Sequence, residues 1–433
     1  MVIDQLVLYR NFEYESLLRK LSTLFGGTEG QKEERSAAFA EAVHELVDLA
    51  GTCGFQGNLW HCFLAFCLAN NENAYSRSAE IRGSVEGSLN ALMLHDCGIL
   101  KALFDLDPEK TAPDPALAEV ILSYQAPVGR SRVFNQRVRD RILDLSVALE
   151  KAADAAEFKN TVSAFYKEFG VGKFGLNKAF SVQEDENGRA VIEPITRIEH
   201  IWLKDIVGYE EQKKQLTDNT EAFLAGIPAN NVLLFGDAGT GKSSSVKAVM
   251  NEYYERGLRI IEVYKHQFRL LSDVLEQVKD RNYKFIIYMD DLSFEDSELE
   301  YKYLKAILEG GLGRRPDNVL IYATSNRRHL IRESFKDKEE ADEELHRRDT
   351  VQEKLSLSAR FGVTIFFGSP NKPMFQKIVK SLAERAGLQI SEKDLFAEAN
   401  MWEIRHGGLS GRTASQFITY LKAREAEEGG RKD

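Results

Sequence analysis

Cysteine is scarce in this 433-residue chain: Cys53, Cys62, Cys67 and Cys97 are the only four, all in one N-terminal stretch. That number cannot staple a disulfide scaffold, and it fits a reducing compartment, so a cytoplasmic location is expected. An excess of positive charge is missing as well. The 57 Lys and Arg against 67 Asp and Glu leave a net charge of −10, so any nucleic-acid contact has to come from a local basic strip. Long hydrophobic runs are also wanting. Leu49 to Asn71 is free of charge, but only Leu59 to Ala69 is continuously near-apolar, about half of the ~20 residues that span a bilayer. A buried helix is expected there. MVIDQLVLYRNFE places no basic residues before an apolar stretch and does not read as a signal peptide. With 43% apolar and 29% charged residues, a disordered, collagen-like or membrane-embedded chain is excluded. The length suggests about three domains.

Strand alternation is absent from residues 1 to about 170. Apolar residues at three- and four-residue spacing predict helices over 13–25, 32–50, 58–70, 85–105 and 133–151. FSVQEDENGRAVIEP then predicts a short hairpin, with Asn187-Gly188 as a type I′ turn. Beyond it the texture changes. Short apolar runs at 231–236, 259–264, 285–291, 319–326 and 363–367 alternate with helical stretches, the pattern of a parallel sheet covered on both faces. The expected division is a helical N-terminal domain ending in the hairpin (1–195), an α/β core with a five-stranded parallel sheet (196–369) and a small helical lid (370–433). No repeat of 20 to 50 residues is visible.

The most informative segment is GDAGTGKS: Gly236, Asp237, Ala238, Gly239, Thr240, Gly241, Lys242 and Ser243, followed by Ser244. It fits GxxxxGK(S/T) between a predicted strand and a predicted helix. Glycines let consecutive backbone N–H groups curl around phosphate oxygens, and the helix turns its positive end toward them. Lys242 is expected to reach the β and γ phosphates and Ser243 to ligate Mg²⁺. The apolar strand FIIYMDD ends in Asp290 and Asp291. A carboxylate at a strand end beside a phosphate loop can hold Mg²⁺ through water, the role expected of Asp290. Orienting the attacking water falls to Asp291 or to Glu295, four residues on. A third strand, VLIYATSN, ends in Asn326, whose amide can bond the γ-phosphate or the lytic water.

In this order the elements resemble the AAA+ branch of P-loop ATPases over roughly residues 200 to 425. LKDIVGYEEQKKQL at 203–216 is similar to the segment ahead of the loop in that family, which implies that Val207, Gly208 and Tyr209 lie against adenine. The same resemblance makes Asn326 the first sensor, Arg360 in LSARFG an arginine finger reaching a neighbouring subunit, and Arg412 in GLSGR the second sensor in the lid. More narrowly, GDAGTGKSSSVKA, DDLSFE, LEGGL, RPDNVLIYATSNRRHL and LSARFG resemble the bacterial family known as domain of unknown function 815. The implied function is ATP·Mg²⁺ binding and hydrolysis coupled to remodelling of a protein partner, by a homo-oligomer whose N-terminal domain meets that partner. Asp291 stands where AAA+ proteins usually carry Glu. A nucleotide-gated adaptor or loader with little hydrolysis is therefore the first alternative, and a DNA-associated ATPase of the helicase-loader type the second.

The DNA reading rests on the pairs Arg314-Arg315, Arg327-Arg328 and Arg347-Arg348. These fit a phosphate backbone, the acidic run at 336–345 or a neighbouring subunit equally, and no aromatic residues interleave with them. His61, Cys62, Cys67, His95 and Cys97 contain zinc-ligand types but no CxxC pair, and ordinary helix packing accounts for them.

Overall fold

The computed structural model describes every residue except 1, 27–31, 126–135, 295–297, 299, 310–315, 328–329, 331–356 and 430–433. The chain divides into two compact units, Met1–Asn177 and Lys178–Asp433.

The first unit is helical among its described residues, in helices α1 (Glu15–Phe25), α2 (Lys32–Cys53), α3 (Leu59–Asn70), α4 (Ala74–Arg82), α5 (Gly87–Phe104), α6 (Pro108–Thr111), α7 (Pro115–Leu122), α8 (Gln136–Glu150), α9 (Ala155–Phe169) and α10 (Gly172–Leu176). The near-apolar run becomes α3, which is buried on nearly all sides because it has no polar face to offer water. Asn58 caps it by accepting the His61 N–H at 3.1 Å. Trp60 is fully buried and donates its indole N–H to the Leu103 carbonyl at 2.9 Å, which removes the cost of burying that group. Asp96, also fully buried, accepts the backbone N–H groups of Val7, Leu8 and Tyr9 at 2.7 to 3.2 Å and so pins the N-terminal turn to α5. Cys62, Cys67 and Cys97 are buried among apolar side chains. Among the described residues no helix is long and apolar enough to cross a membrane.

The second unit is built on a seven-stranded sheet: β1 (Ala179–Glu184), β2 (Ala190–Pro194), β3 (Val232–Gly236), β4 (Leu258–Glu262), β5 (Lys284–Met289), β6 (Val319–Ser325) and β7 (Val363–Phe367). Its order is β2-β1-β4-β5-β6-β3-β7. The five runs read from the sequence form the parallel part, β4-β5-β6-β3-β7. Helices α11 (Glu210–Leu224), α12 (Lys242–Tyr253), α13 (Leu271–Val278) and α14 (Glu300–Glu309) accompany it. Beyond β7 come α15 (Lys372–Ala386), α16 (Glu392–Arg405) and α17 (Gly411–Gly429). Phe375, Val379, Leu395, Ala399, Ala414 and Phe417 give these three helices a core of their own. This is the α/β P-loop core with helical lid that the AAA+ resemblance implies.

Two expectations need correction. The sheet has seven strands rather than five, because the hairpin joins it. β1 pairs in parallel with β4 through Ala179–Ile260, Phe180–Ile261 and Ser181–Glu262, so both strands of the hairpin belong to the sheet of the α/β core. The hairpin turn also differs. Gly188 has positive φ but Asn187 does not, and the Gly188 N–H returns to the Asp185 carbonyl at 3.0 Å. A type I′ turn needs positive φ at both central residues. Here the Asp185 carboxylate, accepting the N–H groups of Asn187 and Arg189, holds a different turn in place.

Candidate functional site

Parallel strands bring their carboxyl ends to one edge, where α/β sheets bind ligands. β3, β5 and β6 deliver the glycine-rich loop, Asp290-Asp291 and Asn326 to that edge, with β6 lying between the other two. A cleft of about 1020 Å³ opens there. Of the residues expected at the site, Val207, Tyr209, Ala238, Gly239, Thr240, Gly241, Lys242, Ser243, Ser244, Asp290, Asp291, Asn326 and Arg412 line it.

The loop begins with Gly236 at φ +132°, where a Cβ would stand 2.2 Å from the Phe367 carbonyl oxygen. Only glycine fits between β3 and β7 there. The loop ends in Gly241, left-handed at φ +95°, from which α12 starts with Lys242. Lys242 is 6% exposed. Its ammonium donates to the carbonyls of Gly236 (2.9 Å) and Asp237 (2.6 Å) and to Asn326 Oδ1 (3.1 Å). Burial pushes its pKa down, and the carboxylates of Asp291, Asp237 and Asp290 oppose that shift without cancelling it.

The Ser243 hydroxyl donates to Asp290 Oδ1 at 2.7 Å, and the Thr324 hydroxyl donates to the same oxygen at 2.5 Å. Burial alone would raise the Asp290 pKa; hydrogen bonds from Thr324 and Ser243, the nearby Tyr288 hydroxyl and the charge of Lys247 outweigh it and hold the carboxyl below its ordinary value. Asp291 is one of three non-glycine residues with positive φ (+50°) among those described. Its N–H is fixed by Thr324 Oγ1 at 2.9 Å, and its carboxylate accepts from Asn326 Nδ2 at 2.7 Å. The Asn326 amide therefore bridges Lys242 and Asp291, acceptor end to the cation and donor end to the anion.

A hydroxyl and a carboxylate side by side suit Mg²⁺, which takes oxygen ligands, keeps several waters and shares phosphate oxygens. Among the described residues no group of three His, Cys, Asp or Glu side chains could hold a metal by protein ligands alone. Ser243 and Asp290 are the side chains whose chemistry would suit such an ion.

Four expected residues are not part of the cleft lining. Gly208, at φ +80°, lies where a Cβ would meet Met374 of α15. It lets the chain turn into Tyr209, itself left-handed, whose hydroxyl donates to the Gly368 carbonyl at 2.8 Å. Burial, with Asp237 nearby, pushes the Tyr209 phenol up to about 12. Gly236 shapes the loop from behind. The Asp237 carboxylate turns to Ser369, accepting its N–H and its hydroxyl at 2.8 Å each. Arg360 is half-buried just ahead of β7 and is not part of the cleft lining of its own chain. Glu295 and Arg314, Arg315, Arg328, Arg347 and Arg348 lie outside the described residues; Arg327 is described and gives its N–H to Ser325 Oγ at 3.1 Å.

Sequence reasoning missed several lining residues. Ser415, Gln416 and Thr419 follow Arg412 at i+3, i+4 and i+7 on α17, and Ile378, Leu382 and Arg385 share a face of α15. Helical spacing from Arg412 would have found the first set. Thr324, two residues before Asn326, shares its face of β6. Arg385 donates to the carbonyls of Asp205 (2.9 Å) and Lys204 (3.2 Å), tying the lid to the segment ahead of the loop. Ser410 caps α17 through the Thr413 N–H, and the Arg412 N–H meets the Gly239 carbonyl at 3.3 Å, so the lid rests on the apex of the phosphate loop.

Comparison with known proteins finds similarity on two levels. A stretch of 73 residues, 17% of this chain, is 40% identical to the replication factor C large subunit of Staphylothermus marinus and spans 16% of that protein. Among solved structures, the RuvB Holliday junction branch migration motor of Thermotoga maritima aligns over 50% of this chain and 63% of its own, with 15% identity and a TM-score of 0.34. A point mutant of RuvB from the same organism aligns over 51% and 65%, with 15% identity and a TM-score of 0.37. The chain thus spans less than two thirds of each of these proteins. The model of the family described as Protein of unknown function (DUF815) matches residues 176–425, from the end of α10 through most of the last helix. That is more than half of the sequence, and the chain belongs to this family.

Proposed function

We propose that this protein binds ATP with Mg²⁺ between its α/β core and its lid and hydrolyses it, using the cycle to remodel a partner. The observation that carries the reading is the chain of contacts Lys242–Asn326–Asp291 beside the Ser243–Asp290 pair. It gathers a cation for the phosphates, an amide for the γ-phosphate, and two carboxylates in different surroundings. Bound at Ser243 and Asp290, Mg²⁺ would neutralise phosphate charge during transfer. Lys242 leaves its loop carbonyls for the β and γ phosphates. Asn326 then turns its amide to the transferred group, and Asp291, released from Asn326 Nδ2, accepts the proton of the attacking water. Asp290 is unsuited to that step because its carboxylate is already held by hydroxyl donors. Arg412 closes on the nucleotide from the lid, and Arg360 completes the site of a neighbouring copy, which makes hydrolysis depend on homo-oligomer assembly. Val207 and Tyr209 contact the base. The proposed compartment is the cytoplasm, and the partner is met through the N-terminal unit.

Phosphate release tests this. Lys242→Ala is expected to lose hydrolysis and most nucleotide affinity. Arg360→Ala is expected to lose hydrolysis by about 10³-fold or more while nucleotide affinity stays within a few-fold. Equal rates for Lys242→Ala and the natural protein would refute the reading.

A nucleotide-gated adaptor is the second reading, favoured by the shorter Asp291 side chain and its engagement with Asn326. Turnover far below one per minute at saturating ATP, with tight binding retained, would select it.

A further inference from the structure

Two residues before Asp290, on the same face of β5, Tyr288 stands in the middle of the sheet. The residue is 3% exposed, and its hydroxyl is shielded from solvent without a hydrogen-bond partner at proper geometry among the described residues. A phenol in such a place is unusual, since a buried O–H that donates to nothing keeps its full desolvation penalty. The groups within its electrostatic reach are Ser243, Asp290 and Thr324.

The neighbouring protons decide where this one can go. Ser243 and Thr324 both spend theirs on Asp290 Oδ1, at 2.7 and 2.5 Å, and the Thr324 oxygen also receives the Asp291 N–H at 2.9 Å. Neither hydroxyl bond uses Asp290 Oδ2. The Ser243 oxygen keeps lone pairs too, but the ionised carboxylate is the strongest acceptor of the three neighbours. A phenol keeps its proton at neutral pH, so the group acts as a donor.

We propose that Tyr288 is a positioning residue for the metal-holding carboxylate, its hydroxyl closing onto Asp290 when Mg²⁺ and nucleotide engage Ser243. With Ser243 and Thr324 on one oxygen and Tyr288 on the other, the carboxylate plane is held from both sides. This inference rests on the reading of the cleft as an ATP·Mg²⁺ site and adds to it a residue outside the cleft lining. Partners that orient a ligating group typically matter by about 10- to 100-fold in metal affinity.

The test is equilibrium binding of a fluorescent ATP analogue, titrated with and without Mg²⁺, on the full chain and on Tyr288→Phe, which keeps the ring and removes only the hydroxyl. The variant is expected to bind the metal-free analogue as the natural protein does, and to need about ten times more Mg²⁺ for the same tightening. In an Asp290→Asn background, removing the hydroxyl is expected to cost nothing further, because its effect runs through that carboxylate. A Mg²⁺ requirement within two-fold of the natural protein, or equal losses in both backgrounds, would overturn the proposal. Should Tyr288→Phe fail to fold, 3-fluorotyrosine placed at position 288 gives a second readout: its fluorine resonance is expected to move when Mg²⁺ joins bound nucleotide, and an unmoved resonance would overturn the proposal. If Mg²⁺ fails to tighten binding to the natural protein, the reading of the cleft falls instead.

Discussion

At the scale of single residues, the site depends on where each carboxylate goes. Four acidic or amide residues expected at the site have distinct side-chain partners: Asp290 takes Ser243 and Thr324, Asp291 takes Asn326, Asn326 also takes Lys242, and Asp237 takes Ser369. The first three were legible because a glycine-rich loop fixes what its neighbours must do chemically. Asp237 was not, since nothing in GDAGTGKS says which way a loop carboxylate turns. Its bonds to the Ser369 hydroxyl and N–H, and secondarily the charge of Lys242, hold its pKa below the ordinary 3.8. A depressed folded-state pKa means that the contribution to stability is present above the unfolded value and is lost as pH falls through the folded one. Asp237→Ala is therefore expected to lower the melting temperature at pH 7, and the difference from the natural protein is expected to vanish once pH drops well below 3.8. Melts at a series of pH values check this; a difference that persists in acid would assign the effect to something other than ionised Asp237.

At the scale of elements, the five parallel strands were readable because strands buried on both faces must be apolar throughout, and each ends where its chemistry begins. The helices of the first unit were read with gaps. The spans later seen as α4, α7 and α9 were covered only by a general helical pattern; α4 carries Ser, Arg and Glu on most of its length and offers little periodicity to find. The glycines of the phosphate loop make opposite demands, which separates their substitutions. Gly241→Ala adds a Cβ that meets nothing closer than 3.8 Å, leaving a left-handed backbone penalty of about 1–2 kcal/mol. Gly236→Ala sets a Cβ 2.2 Å from a backbone oxygen of β7 that no side-chain rotation can relieve, so a loss of at least about 3 kcal/mol is expected. Thermal denaturation is expected to show the Gly236 variant melting below the Gly241 variant by several degrees. The reverse order would mean that β7 yields at that point.

At the scale of the whole molecule, the sequence was least informative about the hairpin. Alternation and a turn identify two strands, but they do not say which sheet receives them; that follows from the β1–β4 pairing, a contact between segments about 80 residues apart. The fragment beginning at 178 is accordingly expected to melt cooperatively and to bind nucleotide. One beginning at 196 uncovers the β4 edge and the apolar faces that Phe180, Val182 and Ile192 cover, and it is expected to melt earlier and to scatter light on standing. Comparable melting of the two fragments would show the hairpin to be an accessory.

The margins of the sheet have a further consequence. On the β2 side, the Ala190 carbonyl takes a side-chain amide from Gln277 at 2.6 Å, the Ala190 N–H reaches Asp273, and Pro194 ends the strand without an N–H to offer. On the β7 side, Gln212 gives its amide to the Phe366 carbonyl at 3.0 Å. At both borders, some of the backbone groups that could zip onto a foreign strand are spent within the fold. The register in which another strand could add is thereby interrupted at Ala190 and at Phe366, which blunts, at those points, the tendency of crowded copies to lengthen one another's sheets.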